Sequence, residues 1–118
     1  MNGGAGNFTL RNSILWGNTA QTAGPNCASA FTSQGYNLLG SLQDCSVAGD
    51  TGTNLLGQDP QLLPLEFNGA TTLSHGLRMS SPAVDAAACD LPADQRGVLR
   101  PQDGNMDGLA ACDIGAFE

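Results

Sequence analysis

Three oxygen-bearing side chains stand two residues apart, Asp103, Asn105 and Asp107, and Gly108 follows at once. Alternate side chains in a tight loop converge on one point, and hard oxygens with two formal charges suit Ca2+. Gly108 permits the sharp turn, and the carbonyl of Leu109 falls at the next ligand position. Where an EF-hand loop places its bidentate Glu this chain has Ile114, so Asp113, one residue earlier, is the carboxylate expected to complete the shell. The expectation is a structural Ca2+ site on Asp103, Asn105, Asp107, Leu109 and Asp113, weaker than an EF-hand and without its flanking helices. The ion-free alternative is an Asn/Asp/Gly turn closed by side-chain to backbone hydrogen bonds.

Other residues with chemical capacity point away from catalysis. Arg96 and Arg100 lie among carboxylates and could pair with Asp94, Asp85 or Asp113, fastening the end of the chain. The same residue types would serve a sugar-cleaving enzyme, which needs two or three carboxylates on one open face. Here the acids sit in turns or beside Arg, so structural ion pairs are expected. Ser74, His75 and Asp85 could be written as a triad, but no Gly-x-Ser-x-Gly context surrounds the serine. No catalytic residue is assigned. Asn7-Phe-Thr9 has the form of an N-glycosylation acceptor, which in a bacterial protein would normally mean nothing. Trp16 and Tyr36 are too isolated to form a sugar-stacking platform.

Charge and cysteine usage set the compartment and the partners. The 118 residues carry a net charge of −7 with four Arg and no Lys. Of this, residues 1–58 contribute −1 (Arg11 against Asp44 and Asp50), and residues 59–118 contribute −6 (nine acids against three Arg). Such a surface repels phosphate backbones and anionic lipid, so neither nucleic acid nor a membrane surface is an expected partner. No segment reaches the length of an apolar membrane span. The four cysteines fit no zinc spacing, and the simplest pairing is sequential, Cys27–Cys45 and Cys89–Cys112. Disulfides imply an oxidising compartment. Met1–Gly6 has neither the basic start nor the apolar run of an export signal, so the chain is expected to be a piece of a longer exported protein.

The elements that must position these groups are short. Sixteen Gly and six Pro leave little room for helices. Brief apolar or alternating runs, 7–16, 36–39, 54–56, 62–65, 71–73 and 83–86, are bounded by turn residues and predict an all-β chain. Asn12-Ser-Ile-Leu-Trp-Gly-Asn18, Gly35-Tyr-Asn-Leu-Leu-Gly40 and Asn54-Leu-Leu-Gly57 resemble one another at an interval of 19 to 23 residues. That interval suits a solenoid, with Asn at corners where left-handed backbone is needed. An irregular β-sandwich is the alternative. Phe8, Leu10, Ile14 and Trp16 would face inward in the first coil, whose outer edge should lack a partner.

Seven motifs in order carry a family resemblance. They are Asn12-Ser-Ile-Leu-Trp-Gly-Asn, Ser33-Gln-Gly-Tyr-Asn-Leu, Asp59-Pro-Gln-Leu, Asn68-Gly-Ala-Thr-Thr-Leu, Ser81-Pro-Ala-Val-Asp-Ala, Asp94-Gln-Arg-Gly with Arg100-Pro, and Cys112-Asp-Ile-Gly-Ala-Phe-Glu118. Together they resemble the C-terminal end of bacterial choice-of-anchor Q proteins, in the pectin-lyase-like superfamily. Ala70 and Ala88 stand where that pattern commonly has Gly. The resemblance implies a right-handed parallel β-helix, with coils over 1–66 and an irregular capping segment over 67–118. It implies a secreted or surface-anchored protein, with upstream coils of the same polypeptide as the first partner and an extracellular glycan or cell-surface component as another. The expected role is a non-catalytic structural or adhesive cap. The alternatives are a polysaccharide lyase or glycoside hydrolase, or a carbohydrate-binding module.

Overall fold

The computed structural model describes residues 8–118; Met1–Gly6 and the Asn7 of the glycosylation pattern lie outside them. Eight short strands are present among the described residues: β1 Thr9–Leu10, β2 Ile14–Leu15, β3 Ala30–Gln34, β4 Leu38–Leu39, β5 Ser46–Asp50, β6 Leu55–Leu56, β7 Leu62–Glu66 and β8 Ser74–Leu77. No helix occurs among the described residues, and therefore none long and apolar enough to cross a membrane.

The strands form three small sheets. Two are parallel and three-stranded, ordered β1-β3-β5 and β2-β4-β6; the third is the antiparallel pair β7-β8. Residue columns run straight across the parallel sheets: Thr9, Thr32 and Ala48 in the first, and Ile14, Leu38 and Leu55 in the second. Left-handed backbone at Asn12 and Tyr36 turns the chain from one sheet into the other. Successive residues of a strand face opposite sides. Leu38 and Leu39 are both fully buried, so β4 is covered on both faces. Leu38 packs with Ala83 and Ile114 of the C-terminal half, supported by Ile14, Trp16, Leu55 and Leu77.

The all-β expectation holds, and the right-handed parallel β-helix does not. Parallel succession ends at Leu56, after which the chain reverses into the antiparallel β7-β8 pair. Further pairings are isolated antiparallel bridges, Ala87 to Cys112, Ala93 to Leu99 and Gln102 to Ala111. Pro64, which lacks an N–H, lies within β7, where the register slips between Leu62 and Leu65. An antiparallel return does not continue a parallel coil. The run at 83–86 is a turn with Asp85 at positive φ, and the run at 71–73 lies just before β8. The β7-β8 pair straddles residues 66 and 67, where the sequence suggested a boundary. Phe8 and Leu10 differ from full burial: Phe8 is 51% exposed and Leu10 is half-buried, as are Ile14 and Trp16.

Two disulfides are present, Cys27–Cys45 and Cys89–Cys112, with Cα–Cα distances of 5.6 and 5.4 Å. The first ties the β2-β3 connection to the residue preceding β5; the second ties the C-terminal half to itself beside the buried Ile114. Two disulfides point to an oxidising, extracellular environment.

Candidate functional site

The chain's chemistry-bearing side chains gather in its last 35 residues, in two adjoining constellations. In the loop 103–108, the Asp107 N–H donates to Asp103 Oδ1 at 3.0 Å and to Asn105 Oδ1 at 2.8 Å. Gly108 N–H donates to Asp103 Oδ2, and Leu109 N–H to Asp107 Oδ1, each at 2.8 Å. Met106 and Gly108 take positive φ, which folds the loop back on itself. Side-chain oxygens of Asp103 and Asn105 therefore converge on one N–H. Each keeps a lone pair that a hard cation could use. Asp103, Asn105 and Asp107 are thus the residues that could hold Ca2+.

Asp113 is placed elsewhere. Its Oδ1 accepts the Asp85 N–H at 2.8 Å, and the Asp85 carboxylate in turn accepts the N–H groups of Gly104 and Asn105. A Cβ on Gly104 would come within 2.7 Å of Val84 Cγ1, so glycine is what lets the loop lie against the body. Among the described residues no three His, Cys, Asp or Glu side chains gather as a metal group, so Asp113 is not brought together with Asp103 and Asp107. The side chain of Leu109 is 73% exposed.

The second constellation closes the chain. The Asp94 side chain, 0% exposed, pairs with Arg96 and accepts the N–H groups of Arg96, Val98 and Glu118. Burial pushes the Asp94 carboxyl up, but Arg96 and these donors outweigh it and hold it below the usual carboxylate range. The Arg96 guanidinium lies 3.6 Å over the Phe117 ring and also donates to the Glu118 carbonyl. Arg100 donates to the carbonyls of Asp113 (3.1 Å) and Gly115 (2.8 Å), and its Nε lies 3.3 Å from Glu118 Oε2. Glu118 accepts the N–H groups of Gln102 and Asp113.

Of the anticipated pairs, Arg96 finds Asp94, whereas Arg100 takes Glu118 and only the main chain of Asp113. Two contributors had no strong sequence signal. Glu118 ends the sequence in an apolar context. Arg11 reaches 79 residues along the chain to Asp90, while Asn12 donates to Ala88 O and Asp90. The one clue was that Arg11 is the only cation in the first half of the chain. Arg11 holds the exposed Asp90 carboxyl below its usual range by direct hydrogen bonding.

Asp113 titrates in the opposite sense. Burial pushes its carboxyl up to about 6, helped by the charges of Glu118 and Asp85 and opposed by the Asp85 N–H and Arg100. A carboxyl whose folded pKa exceeds its unfolded one favours the folded state only while protonated. Stability from this group is therefore full below pH 3.8 and lost as pH rises to about 6. The loss is on the order of 2–3 kcal/mol. Asp113→Asn keeps an acceptor for Asp85 and should be more stable than the parent by that amount at pH 7.5. Urea denaturation at pH 4.5 and 7.5 checks this; an equal slope of stability against pH in both proteins would contradict it.

The triad written from sequence is not assembled. The Ser74 side chain accepts from Asn68, His75 Nδ1 lies 2.6 Å from the Leu63 carbonyl, and Asp85 serves the loop at 104–105. Beside this region runs an open cleft of about 800 Å³, floored by Ser13–Trp16 and walled by Leu65, Leu73, Leu91 and Phe117. No family model, curated protein or solved structure matches this chain.

Proposed function

We propose that this chain is a non-catalytic structural or adhesive module of a secreted or surface-displayed bacterial protein, its final segment serving as a fastening. The observation that supports this most is the closing network itself. Asp94, Arg96, Arg100 and Glu118 spend their charges on one another and on the main chain, so these four groups hold the closing segment in place. The seven ordered motifs add the choice-of-anchor resemblance. The disulfides suit display outside the cell.

Incubation with a panel of acidic and neutral polysaccharides tests the reading against a lyase or hydrolase. The expected result is no new reducing ends and no unsaturated uronate products. Turnover above a heat-denatured control would overturn it.

Within this role the loop of Asp103, Asn105 and Asp107 takes Ca2+ as an accessory to the fastening. An ion bound to the folded state alone raises stability with its concentration, by about 2.7 kcal/mol at a hundred times Kd. Thermal melts of metal-stripped protein should therefore rise on adding Ca2+ and fall again with EDTA. Asp103→Asn with Asp107→Asn should remove the response. An unchanged melting temperature in millimolar Ca2+ would leave the loop an ion-free turn.

A further inference from the structure

Both ends of the paired parallel sheets are open among the described residues, and they complement each other. Thr32 N–H donates to Phe8 O, so Phe8 and Leu10 face β3 and the N–H and C=O of Thr9 point outward. Ser46 N–H donates to Ser29 O, so Ser46, Ala48 and Asp50 face β3 and the main-chain groups of Val47 and Gly49 point outward. The second sheet repeats the arrangement: Leu38 N–H to Ser13 O leaves Ile14 outward, and Leu55 N–H to Asn37 O leaves Leu56 outward. In a parallel ladder an outward Thr9 is what Val47 C=O and Gly49 N–H require. Both sheets end at the same two sides.

The side chains agree with the main chain. Phe8, Phe31 and Val47 share one column, and Phe8 meets Phe31 edge-on at 6.1 Å yet is 51% exposed at its end. Leu15, Leu39 and Leu56 share another; the middle leucine is fully buried and Leu56 is 57% exposed. Arg11, whose charge Asp90 of the same chain already meets, falls next to Gln34, and Gln34 pairs with Asp50, whose carboxylate ends that column. Advancing the stack along its own axis would set Val47 against Phe8, Leu56 against Leu15 and Asp50 against Arg11. The floor of the cleft, Ser13–Trp16, is the same β2 edge, and its leucine walls are apolar like the Leu56 it would receive.

We propose that the β5/β6 end of this chain is a docking surface for the β1/β2 end of a second copy, head to tail, with both parallel sheets continued across the junction. The contact is heterologous, so it leaves a free end on each side and grows as an open series. It goes beyond the structural role proposed above and holds wherever the chain is displayed. Sheet edges carrying unpaired main-chain groups template such addition, and the matching phase of both ladders, with the apolar columns, sets polarity and register.

Sedimentation velocity of the full 118-residue chain tests it, from low micromolar to about millimolar concentration, the range where a modest edge contact is populated. The average mass should climb with concentration without stopping at a dimer. Asp50→Arg and Leu56→Lys, both at the exposed far end, should each weaken association at least about tenfold by setting a long, unpaired charged side chain into the junction. Circular dichroism confirms that each variant stays folded. Wild type that remains monomeric throughout overturns the proposal, as does a mass that levels off at a dimer. Association unchanged in both variants overturns it too, since the contact would then lie on another face or with another partner strand.

Discussion

Asn37→Leu should destabilise the protein by about 3–4 kcal/mol, one of the largest losses available to a single substitution here. Asn37 is fully buried at the centre of the parallel sheets. Its Oδ1 accepts the Ser13 N–H at 3.1 Å, and its Nδ2 donates to Leu10 O and to Ser33 Oγ. Asn54 repeats the device one strand on, accepting the Asn37 N–H at 3.1 Å and donating to Ser33 Oγ. Ser33, itself 2% exposed, donates to Asp50 O and accepts the Gly35 N–H. Main-chain groups at Leu10, Ser13, Asn37 and Asp50 are thus each held by a side chain from a neighbouring turn or strand. Leucine matches the size of asparagine but strands the Ser13 N–H in a dry interior, at about 1–3 kcal/mol, and removes the bonds to the Leu10 carbonyl and Ser33 Oγ, at about 1 kcal/mol each. Asn54→Leu removes comparable bonds from a less buried position and should cost less. Urea denaturation of the three proteins at one pH gives the ranking. A loss below about 1 kcal/mol for Asn37→Leu would mean that water reaches the network.

The same network explains how far the sequence could be read. The apolar pulses around Ile14, Leu38 and Leu55 mark β2, β4 and β6 because Ile14 and Leu55 pack against the buried Leu38 cluster and the pulses are flanked by Asn and Gly. β3 and β5 carry a weaker signal: Ala30-Phe-Thr-Ser-Gln34 and Ser46-Val-Ala-Gly-Asp50 show little apolar alternation, and their pairing rests on main-chain bonds around buried Ser33. Polar burial of this kind has no periodic signature. The turn to an antiparallel third sheet was likewise hidden, since Leu62-Leu-Pro-Leu65 fits either direction of pairing. The similar pulses in the first half suggested a uniform coil that the second half does not continue. At the candidate site, contacts within a few residues were legible: the turn at 103–108 and the Asp94–Arg96 pair. Arg11 with Asp90 and Arg100 with Glu118 depend on how the halves fold together, and spacing alone does not encode that.

Arg100→Ala should cost about 3–5 kcal/mol at neutral pH, because it removes one partner of a buried pair and leaves the other. The Arg100 side chain is 6% exposed and that of Glu118 is 1% exposed. Two carbonyls, Asp113 and Gly115, lose their donors at the same time. The ion pair itself is imperfectly aimed, since Nε has no hydrogen-bonding partner at its 3.3 Å separation from Glu118. Much of the loss should therefore come from the fork onto the two carbonyls, which lysine cannot reproduce. Arg100→Lys is expected to recover less than half of it. The pH dependence separates this account from simple loss of packing. Arg100 is the one positive charge that lowers the Asp113 carboxyl, whose position of about 6 already includes that effect. Without it Asp113 faces Glu118 and Asp85 unopposed, and deprotonating it costs more. The destabilisation by Arg100→Ala should thus be larger at pH 7.5 than at pH 4.5, where Asp113 is protonated and neutral. Combining Arg100→Ala with Asp113→Asn should shrink that pH difference, since the group that carries it is gone. An equal loss at both pH values would assign the role of Arg100 to packing and hydrogen bonding alone.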